Sequence, residues 1–585
     1  MANASRRALT AVAVLLVAGV GIAGCTPPQE PVRLAAMGRE RLDLPVARGV
    51  VVASAAGKYL AGNHAQRVRD YGTAADYLTD ALTIDEGNRD LRRRAFLAML
   101  TSGQMKEATN LARIIIERDP KLDLAIMSLA VEEARAGNFA AAAKQFEGIE
   151  NRGINTVMMP LLLAWTQAGQ GDTAAALDAL SALVKNDRFQ VVHDLHAGLI
   201  NEVAGNTAAA EKAYVRARAK RLTLRLVQAL GALYERTERT NEAKALYGEF
   251  LKNNPNTEVV LAAHARATAG KAADLPVNSA RQGMAEVFYN MANTLTRGRS
   301  IEHALIYGNF ALYIRPDYPV GQLLVGGILE ALDRHDEAII VYNQVKSTSP
   351  LGWTARLRKV SSLDSLDKTK LAIAELTEMA GEKVERHDAL VALGDLFRGK
   401  KRYLEAVAAY SKALKRIGKL EKRHWAILYS RGISYERAEQ WQVAEKDLLH
   451  ALELNAGQPY VLNYLGYSWI DKGVNLVRGR RMIEQAVKNR PKDGYIVDSL
   501  GWALYRMGEY KAAARHLEKA VLLRPEDPII NDHLGDAYWR VGRQLEANFQ
   551  WKRVLTLKPE SDTIPMIEKK IRGGLSAAEP SSGGG

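Results

Sequence analysis

Small and apolar residues recur along the chain at intervals of about 34 residues, and polar residues fill the positions between them. Leu500 and Gly501 are followed by Leu534 and Gly535, and similar pairs can be traced back towards the start of the chain. Each interval holds two apolar stretches that are separated by a turn, as at Gly508. The pattern predicts a series of antiparallel helix pairs, because stacked pairs bury apolar faces that a single pair leaves exposed.

The repeats are predicted to start near residues 55, 89, 123, 157, 191 and 224, and then near 285, 319, 353, 387, 425, 459, 494 and 528; only the copy near 353 is weak. A small residue at position 8 and alanines at positions 20 and 27 let two helices approach closely. Proline at position 32 ends the second helix, because its ring cannot continue the helical ladder. This combination resembles the tetratricopeptide repeat, W-x2-L-G-x2-Y, then A-x3-F, then P. The resemblance implies an all-α fold, a right-handed α-solenoid (superhelix) of about 13–14 helix-turn-helix repeats.

The start of the chain has the features of an export signal. Two arginines precede an uncharged stretch, Ala8–Gly24, and Cys25 is the only cysteine. The segment Ile22-Ala23-Gly24-Cys25 resembles the bacterial lipobox, in which cysteine becomes the lipidated first residue of the mature chain. The resemblance implies a lipid anchor on Cys25 and, since Thr26 rather than aspartate follows, a place on the periplasmic face of the outer membrane. The alternative is an uncleaved signal anchor, although the uncharged stretch is marginal for a spanning helix.

A break in the period indicates how the chain is organised. The repeat starts at 224 and 285 lie 61 residues apart, and we interpret the interval as a degenerate repeat with a loop, the best candidate for a boundary between two arrays. The last residues, Ala577–Gly585, have the composition of a disordered tail. The predicted segments are a signal peptide (1–24), a lipidated cysteine and tether (25–54), an N-terminal array (55–257), the degenerate repeat and loop (258–284), a C-terminal array (285–561), a candidate capping helix (562–574) and the tail (575–585).

The composition is that of a folded protein, with 47% hydrophobic and 25% charged residues and a net charge of +14. Once Cys25 carries a lipid no thiol remains, so the fold cannot depend on disulfides. We find no nucleophile elbow, zinc-protease motif, phosphate-binding loop or cysteine cluster in the sequence. His193 and His196 have a spacing that could serve a metal, but both fall where a first helix packs against its neighbours. We therefore expect a non-enzymatic binding scaffold with no metal and no cofactor.

Aromatic and polar residues concentrate on one predicted surface near the C-terminus. The first helices of such repeats line a concave face, and positions 2, 5, 9, 12 and 13 point into its groove. Aromatic rings beside Asn, Asp and Arg suit an extended peptide or a partner helix; the alternative is that rings fill the space between repeats, as we expect of Trp469 and Tyr538. The predicted partner-binding groove comprises Tyr460, Asn463, Tyr467, Tyr495, Asp498, Trp502, Tyr505, Arg506, Asp532, Asp536, Trp539 and Arg540.

Several basic runs could meet peptidoglycan carboxylates, lipid phosphates or an acidic partner. They are Arg92-Arg93-Arg94, the cationic residues between Arg216 and Arg225, Lys400-Lys401-Arg402 and the insert Lys415–Arg423. Nucleic acid is excluded as a partner if the chain is exported. We favour the interpretation that these runs are solvated faces that keep a long solenoid soluble.

Three C-terminal segments, Asn463–Trp469, Asp498–Tyr505 and Asn531–Trp539, look like a recurring signature of proteobacterial tetratricopeptide-repeat lipoproteins. With the lipobox and the overall length, they resemble the outer-membrane adaptors of carboxy-terminal-processing proteases, the LbcA type, which is functionally akin to NlpI. The resemblance implies a periplasmic scaffold that brings peptidoglycan hydrolases to a processing protease. The alternative is an assembly module of a cell-envelope complex for outer-membrane protein insertion, polysaccharide export or pilus assembly. Self-association into a homo-oligomer is a further option, because an open solenoid end exposes apolar surface.

Overall fold

The computed structural model describes residues 54–184, 186–298 and 300–575. Within these residues it contains thirty α-helices, two short 3-10 helices and no β-strand. The prediction of an all-α repeat fold is therefore confirmed. The predicted signal peptide, Cys25 and the tether as far as residue 53 lie outside the described residues, as does the chain from residue 576.

The chain forms two compact units, Met1–Glu375 and Leu376–Gly585. The helices of the first unit are α1 (Ala55–Arg67), α2 (Tyr71–Ile84), α3 (Arg89–Ser102), α4 (Met105–Arg118), α5 (Asp123–Ala136), α6 (Phe139–Glu147), α7 (Asn155–Gly169), α8 (Thr173–Val184), α9 (Gln190–Val203), α10 (Thr207–Lys220), α11 (Leu224–Arg236), α12 (Thr240–Asn253), α13 (Glu258–Thr268), α14 (Ala280–Leu295), α15 (Ile301–Ile314), α16 (Pro319–Ala331), α17 (His335–Asn343) and α18 (Gly352–Ser365). A 3-10 helix, Asp187–Phe189, precedes α9.

The division between the units falls within α19 (Thr369–Glu382). The helices of the second unit are α20 (Asp388–Gly399), α21 (Tyr403–Ile417), α22 (Trp425–Arg437), α23 (Trp441–Leu454), α24 (Pro459–Asp471), α25 (Leu476–Asn489), α26 (Gly494–Arg506), α27 (Tyr510–Leu523), α28 (Pro528–Arg540), α29 (Gln544–Thr556) and α30 (Ile564–Gly573). The second 3-10 helix, Lys422–His424, overlaps the end of the basic insert.

Close approach of paired helices explains the small residue at position 8. A methyl group on Gly198 of α9 would lie 2.2 Å from the ring of Tyr214 on α10, and one on Gly535 of α28 would lie 2.5 Å from the indole nitrogen of Trp551 on α29. Both rings are fully buried. Each ring also hydrogen-bonds to its partner helix, as where the Tyr214 hydroxyl donates to Glu202 Oε2 at 2.7 Å. In these two repeats the glycine at position 8 admits a ring from the second helix, whereas Gly501 of α26 admits the side chain of Leu517.

Helix starts follow the predicted repeats closely. The pair α3–α4 begins at Arg89 and the pair α28–α29 at Pro528, and the weak copy near 353 also forms a pair, α18–α19. The predicted degenerate repeat holds one helix, α13, and residues 269–279 then run without a helix to α14. That interval lies inside the first unit, while the chain passes to the second unit about a hundred residues later, within α19. None of the described helices has the length and apolarity that crossing a bilayer requires.

Candidate functional site

We call the surface that the first helices of the repeats present in each unit the first-helix face. In the first unit, the part of this face from α3 to α9 is covered by two later helices of the same unit. Helix α14 packs on α7 and α9, and α15 packs on α3, α4 and α5. The hairpin α14–α15 therefore occupies the surface on which a repeat array would otherwise bind a partner.

Helix α14 is fitted to this surface by shape and charge. Gly283 faces the buried ring of Trp165 so closely that a methyl group there would lie 2.2 Å from the indole. Three residues later, Glu286 is fully buried and accepts from Arg225 Nε of α11 at 3.0 Å. Burial disfavours the charged guanidinium, but Glu286 outweighs burial and raises the pKa of Arg225. A charge pair removed from water holds together strongly because either partner alone is costly.

Helix α15 is joined to the same face by polar contacts that span long stretches of sequence. The side-chain amide of Asn309 donates to the main-chain oxygen of Leu100 at 2.8 Å, at the end of α3. The hydroxyl of Tyr313 donates to Glu132 Oε2 of α5 at 2.7 Å, and the Arg135 guanidinium lies 4.8 Å from the Tyr313 ring centre. Together with α14, α15 covers the first-helix face of this unit from α3 to α9.

The histidine pair of α9 has structural partners. His196 is completely buried, and its Nδ1 accepts from Trp165 Nε1 at 3.0 Å. Burial, with the neighbouring Arg225 charge, lowers the pKa of His196 to about 3. Nδ1 of His193 lies 3.1 Å from Asp194, which also accepts from Arg216. Within the described residues no cluster of three or more potential metal ligands is found.

In the second unit, polar residues at position 5 bind the next first helix. The amide of Asn463 donates to Ser499 Oγ at 3.1 Å. His533 Nδ1 lies 3.0 Å from Asp498 Oδ1, and Lys570 Nζ of α30 lies 2.8 Å from Asp532 Oδ1. We call these contacts the position-5 ladder; they are Asn463–Ser499, Asp498–His533 and Asp532–Lys570. The ladder ties α24, α26, α28 and α30 together in sequence.

Charge on the ladder is set by burial and pairing. Burial lowers the pKa of His533, but the Asp498 carboxylate more than compensates, so that the pKa lies above its usual value. Nδ1 of His533 faces Asp498, and the ring stacks on Trp502 with ring centres 4.0 Å apart. Trp502 also stacks on Tyr505 at 4.8 Å. Stacking on both residues fixes the indole on the first-helix face.

The last repeat is covered by α30 and the residues after it. Lys570 reaches Asp536 as well as Asp532, and Trp551 Nε1 donates to Asp536 at 3.0 Å. The ring of Trp539 lies against the backbone of Gly574, where a methyl group would lie 1.8 Å from the indole. Two residues of the predicted groove, Asp536 and Trp539, thus contact the helix that ends the stack. That α30 serves as a cap stays a prediction.

The predicted groove residues differ in how far a partner can reach them. Tyr495 is exposed, whereas Asp498, Tyr505 and Asp536 are buried. The half-buried residues are Tyr460, Asn463, Tyr467, Trp502, Arg506, Asp532, Trp539 and Arg540. Arg506 donates to Asp471 Oδ1 at 2.9 Å, and Arg540 donates to the Tyr505 hydroxyl. Trp469 and Tyr538 are buried, as inter-repeat packing requires.

Two residues of this surface, His533 and Lys570, are missing from the sequence prediction. Ile529, which its position 2 also places in the predicted groove, is exposed on α28 in register with Tyr460 and Tyr495. His533 and Lys570 complete the position-5 ladder. Predicting these two partners requires knowing which helix lies next to each position-5 residue in space. The sequence held one signal for His533, namely a polar residue at position 6 that comes one repeat after an acidic residue at position 5.

The basic runs are only partly solvated. Arg92 is buried and donates to the main-chain oxygen of Glu86. Arg225 pairs with Glu286 inside the first unit, as described above. For these two residues the interpretation as a solvated face is wrong, because their charges are used within the fold. Residues of the insert, such as Lys419 and Lys422, are exposed or half-buried at the surface.

Comparison with known proteins identifies the repeats. Residues 229–257, 387–419 and 499–559 each match a family described as tetratricopeptide repeat. Over 90 residues the chain is 33% identical to the TPR repeat-containing protein PA4667 of Pseudomonas aeruginosa, a match that spans 15% of either chain. The chain thus spans only a small part of the length of that relative.

Solved structures that resemble the chain are also helical repeat proteins. A chain of the APC/C hetero-tetramer Cut9–Hcn1 has a TM-score of 0.36 at 14% identity, with 88% of this chain and 95% of that chain covered. A tetratricopeptide repeat protein from Parabacteroides merdae has a TM-score of 0.33 at 16% identity, with 47% and 100% covered.

Proposed function

Because this chain is a tetratricopeptide-repeat protein, and such proteins generally bind other proteins, we propose that it is a non-enzymatic scaffold anchored to the outer membrane through Cys25. On its periplasmic side it brings peptidoglycan hydrolases to a carboxy-terminal-processing protease. The proposal rests on the repeat fold and on the lipobox and signature segments of the sequence.

The scaffold would act through proximity. Two modest binding sites on one tethered chain raise the local concentration of a substrate beside its enzyme, without any new contact between them. No catalytic group is needed on the scaffold itself. The protease and its substrate are held by different surfaces, which the two units of this chain can supply.

One observation supports a binding surface in the second unit: α14–α15 already occupies the first-helix face of the first unit from α3 to α9. In the second unit the polar side chains of the position-5 ladder bind neighbouring helices rather than a partner. The residues at the starts of the first helices stay accessible. Tyr460, Tyr495 and Ile529 occupy position 2 of successive repeats, and the Arg524 guanidinium lies 5.2 Å from the Tyr495 ring centre. Rings beside arginine are the residues that most often anchor protein partners.

The position-2 surface can be tested without disturbing the ladder. The full chain is purified from cell envelopes in detergent, beside a Tyr495→Ala/Ile529→Ser double variant, and bound proteins are identified by mass spectrometry. Leu522→Ser is the matched control, since Leu522 is 83% exposed on α27, a second helix of the same unit. We expect the double variant to lose one class of partner by about tenfold or more, and the control to lose none. Equal recovery by all three proteins would refute the position-2 site.

The adaptor role itself is tested by deletion. Cells that lack the protein should accumulate the hydrolases that the wild-type cell degrades, and re-expression should restore their turnover. Unchanged hydrolase levels would contradict the adaptor role, even if the protein binds them. Stoichiometric recovery of an outer-membrane insertion, polysaccharide-export or pilus complex would instead support the assembly module.

A further inference from the structure

The turn between α24 and α25 exposes an unusual set of aliphatic side chains. Val474, Leu476 and Val477 are 44%, 39% and 62% exposed, three residues within four positions. Isolated exposed aliphatic residues are common on protein surfaces, but a contiguous group on a protruding turn is not. The group therefore indicates a surface that meets a nonaqueous neighbour.

This turn also differs from its counterparts in the other repeats of the second unit. Four residues separate α24 from α25, whereas three separate the two helices of each other pair in this unit. Asn475 accommodates the extra residue in the left-handed conformation, with φ of 49°. Leu404 and Leu545 are exposed at the place of Val477 in two other pairs, but the turns before them carry no exposed large aliphatic side chain, so the contiguous group belongs to this turn.

Cations surround the apolar turn. Lys472 Nζ lies 5.0 Å from the ring centre of Trp441, and the Arg478 guanidinium lies 4.8 Å from that of Trp469. Arg481 is exposed. Within the described part of the chain, none of these three cations forms an ion pair with a carboxylate. Their charge is therefore available to an external anion.

A cavity of about 590 Å³ lies at the turn of the following pair, between α26 and α27. Its lining includes Lys511, Arg515 and Arg540, and among the described residues Lys511 and Arg515 have no carboxylate partner. Arg480, three residues after Val477, bonds to Glu509, which also lines the cavity. This contact links α25, which begins at the aliphatic turn, to the lining of the cationic cavity. It also pairs Glu509, the carboxylate of that lining, with a cation.

We propose that this edge of the second unit binds the surface of an anionic phospholipid bilayer. Val474, Leu476 and Val477 enter the boundary between headgroups and acyl chains, while Lys511 and Arg515 bind headgroup phosphate at the cavity. A bilayer accepts a convex apolar turn and supplies anionic charge around it. An acidic protein would satisfy the cations but would need a groove shaped to the protruding aliphatic side chains.

The test uses the chain from Thr26 to Gly585, which keeps every described residue and lacks both the apolar leader and Cys25. Its binding is measured by co-sedimentation with vesicles of phosphatidylcholine alone and with roughly a third phosphatidylglycerol. We expect binding to the anionic vesicles only, weakened but not abolished as salt is raised, because salt screens the cations and leaves the apolar contribution. Absence of binding, or equal binding to both vesicles, would overturn the proposal.

Two variants separate the charged and apolar contributions. Arg481→Gln should weaken partition into anionic vesicles about fivefold, the effect of one cation near such a surface. Val474→Ser/Val477→Ser should abolish the residual binding that survives at high salt. Lys412→Gln and Leu522→Ser, at exposed sites on other helices of the unit, are the matched controls and should bind as the parent does. Equal effects of variants and controls would also overturn it.

This inference does not depend on the adaptor role, because vesicle binding and partner recovery are measured separately. If the turn variants keep full vesicle binding but lose a protein partner, the edge is a protein-binding surface and the membrane assignment fails. If they lose vesicle binding and keep all partners, the membrane assignment stands.

Discussion

The ammonium nitrogen of Lys570 lies 2.9 Å from the Oδ2 atom of Asp536, where α30 covers the last repeat. Both side chains are almost fully buried. Burial, together with the charge of Asp532, raises the pKa of Asp536 to about 6. The lysine thus balances two carboxylates in a space with little water.

Replacing Lys570 with methionine should destabilise the C-terminal end of the second unit. Breaking a buried ion pair from one side typically costs about 3–5 kcal/mol, because the remaining charge stays buried. Chemical denaturation followed by circular dichroism, with hydrogen exchange of α30, measures the loss. Lys569→Met changes an exposed neighbour on the same helix and should have little effect.

The loss of stability that Lys570→Met causes should depend on pH. A carboxyl group whose folded pKa is raised contributes stability that is full below its unfolded pKa, about 4, and is lost as pH rises through the folded value near 6. Without Lys570 the repulsion between Asp532 and Asp536 is uncompensated, so the penalty should be larger at about pH 8 than at about pH 5. A penalty independent of pH would mean that Asp536 does not titrate in this range.

Gly283→Ala should loosen the hairpin α14–α15 from the first-helix face. The added methyl group would meet the Trp165 indole at 2.2 Å, and overpacking of this kind typically costs about 1–3 kcal/mol. Hydrogen exchange should increase in residues 280–314 and in α7. Gly327→Ala on α16 is the control, since no heavy atom lies within 4 Å of its added methyl group. Unchanged exchange in the Gly283 variant would contradict the packing.

His196 should make the first unit sensitive to acid. Its folded pKa is about 3, below the unfolded value near 6.5, so the stability it contributes is present above about 6.5 and is lost as pH falls. The expected slope is about 1.4 kcal/mol per pH unit between those values. His196→Gln keeps an acceptor for Trp165 but cannot titrate. The free energy of unfolding, measured by chemical denaturation, should therefore fall more in the parent than in the variant between about pH 7 and about pH 5.

Asp498→Asn should lower the pKa of His533. Burial alone disfavours the imidazolium, and the Asp498 carboxylate is the largest influence that opposes burial. A raised histidine pKa gives stability that is full below the unfolded pKa and is lost as pH rises through the folded value, so the variant should lose this contribution. Nuclear magnetic resonance titration of the His533 ring provides the measurement. An unchanged pKa would show that Asp532 and Asp536 suffice to hold the charge.

Local features of this fold could be predicted from the sequence, and distant ones could not. The start at Pro528 was predictable, because Gly535 and the Trp551 ring that it admits lie within one repeat, and the start at Arg89 followed from the repeat spacing. The packing of α14–α15 on the first-helix face was not predictable. Asn309 bonds to a residue 209 positions earlier, and a contact at that separation does not appear in the repeat period. A repeat pattern predicts which helices pair, but it does not predict which surfaces a later segment covers.

The candidate site shows the same limit. Position 5 was predicted to face a partner, and Asp498 does lie on the first-helix face. Its carboxylate instead binds His533 of the next repeat. Which polar groups stay available depends on pairing between helices, and that pairing became clear only when the first helices were placed side by side. Tyr495, predicted from its position alone, remains exposed.

The occupied first-helix face also affects the order in which the chain can fold. In an ordinary repeat array each repeat contacts only its neighbours, so folding can start anywhere and spread. Here α3 and α5 receive part of their packing from α15, and contacts across such long separations slow folding because the intervening chain must first be ordered. The earliest repeats of the first unit are therefore complete only after residues as late as Tyr313 have been synthesised, and until then they expose the apolar surface on which chaperones act.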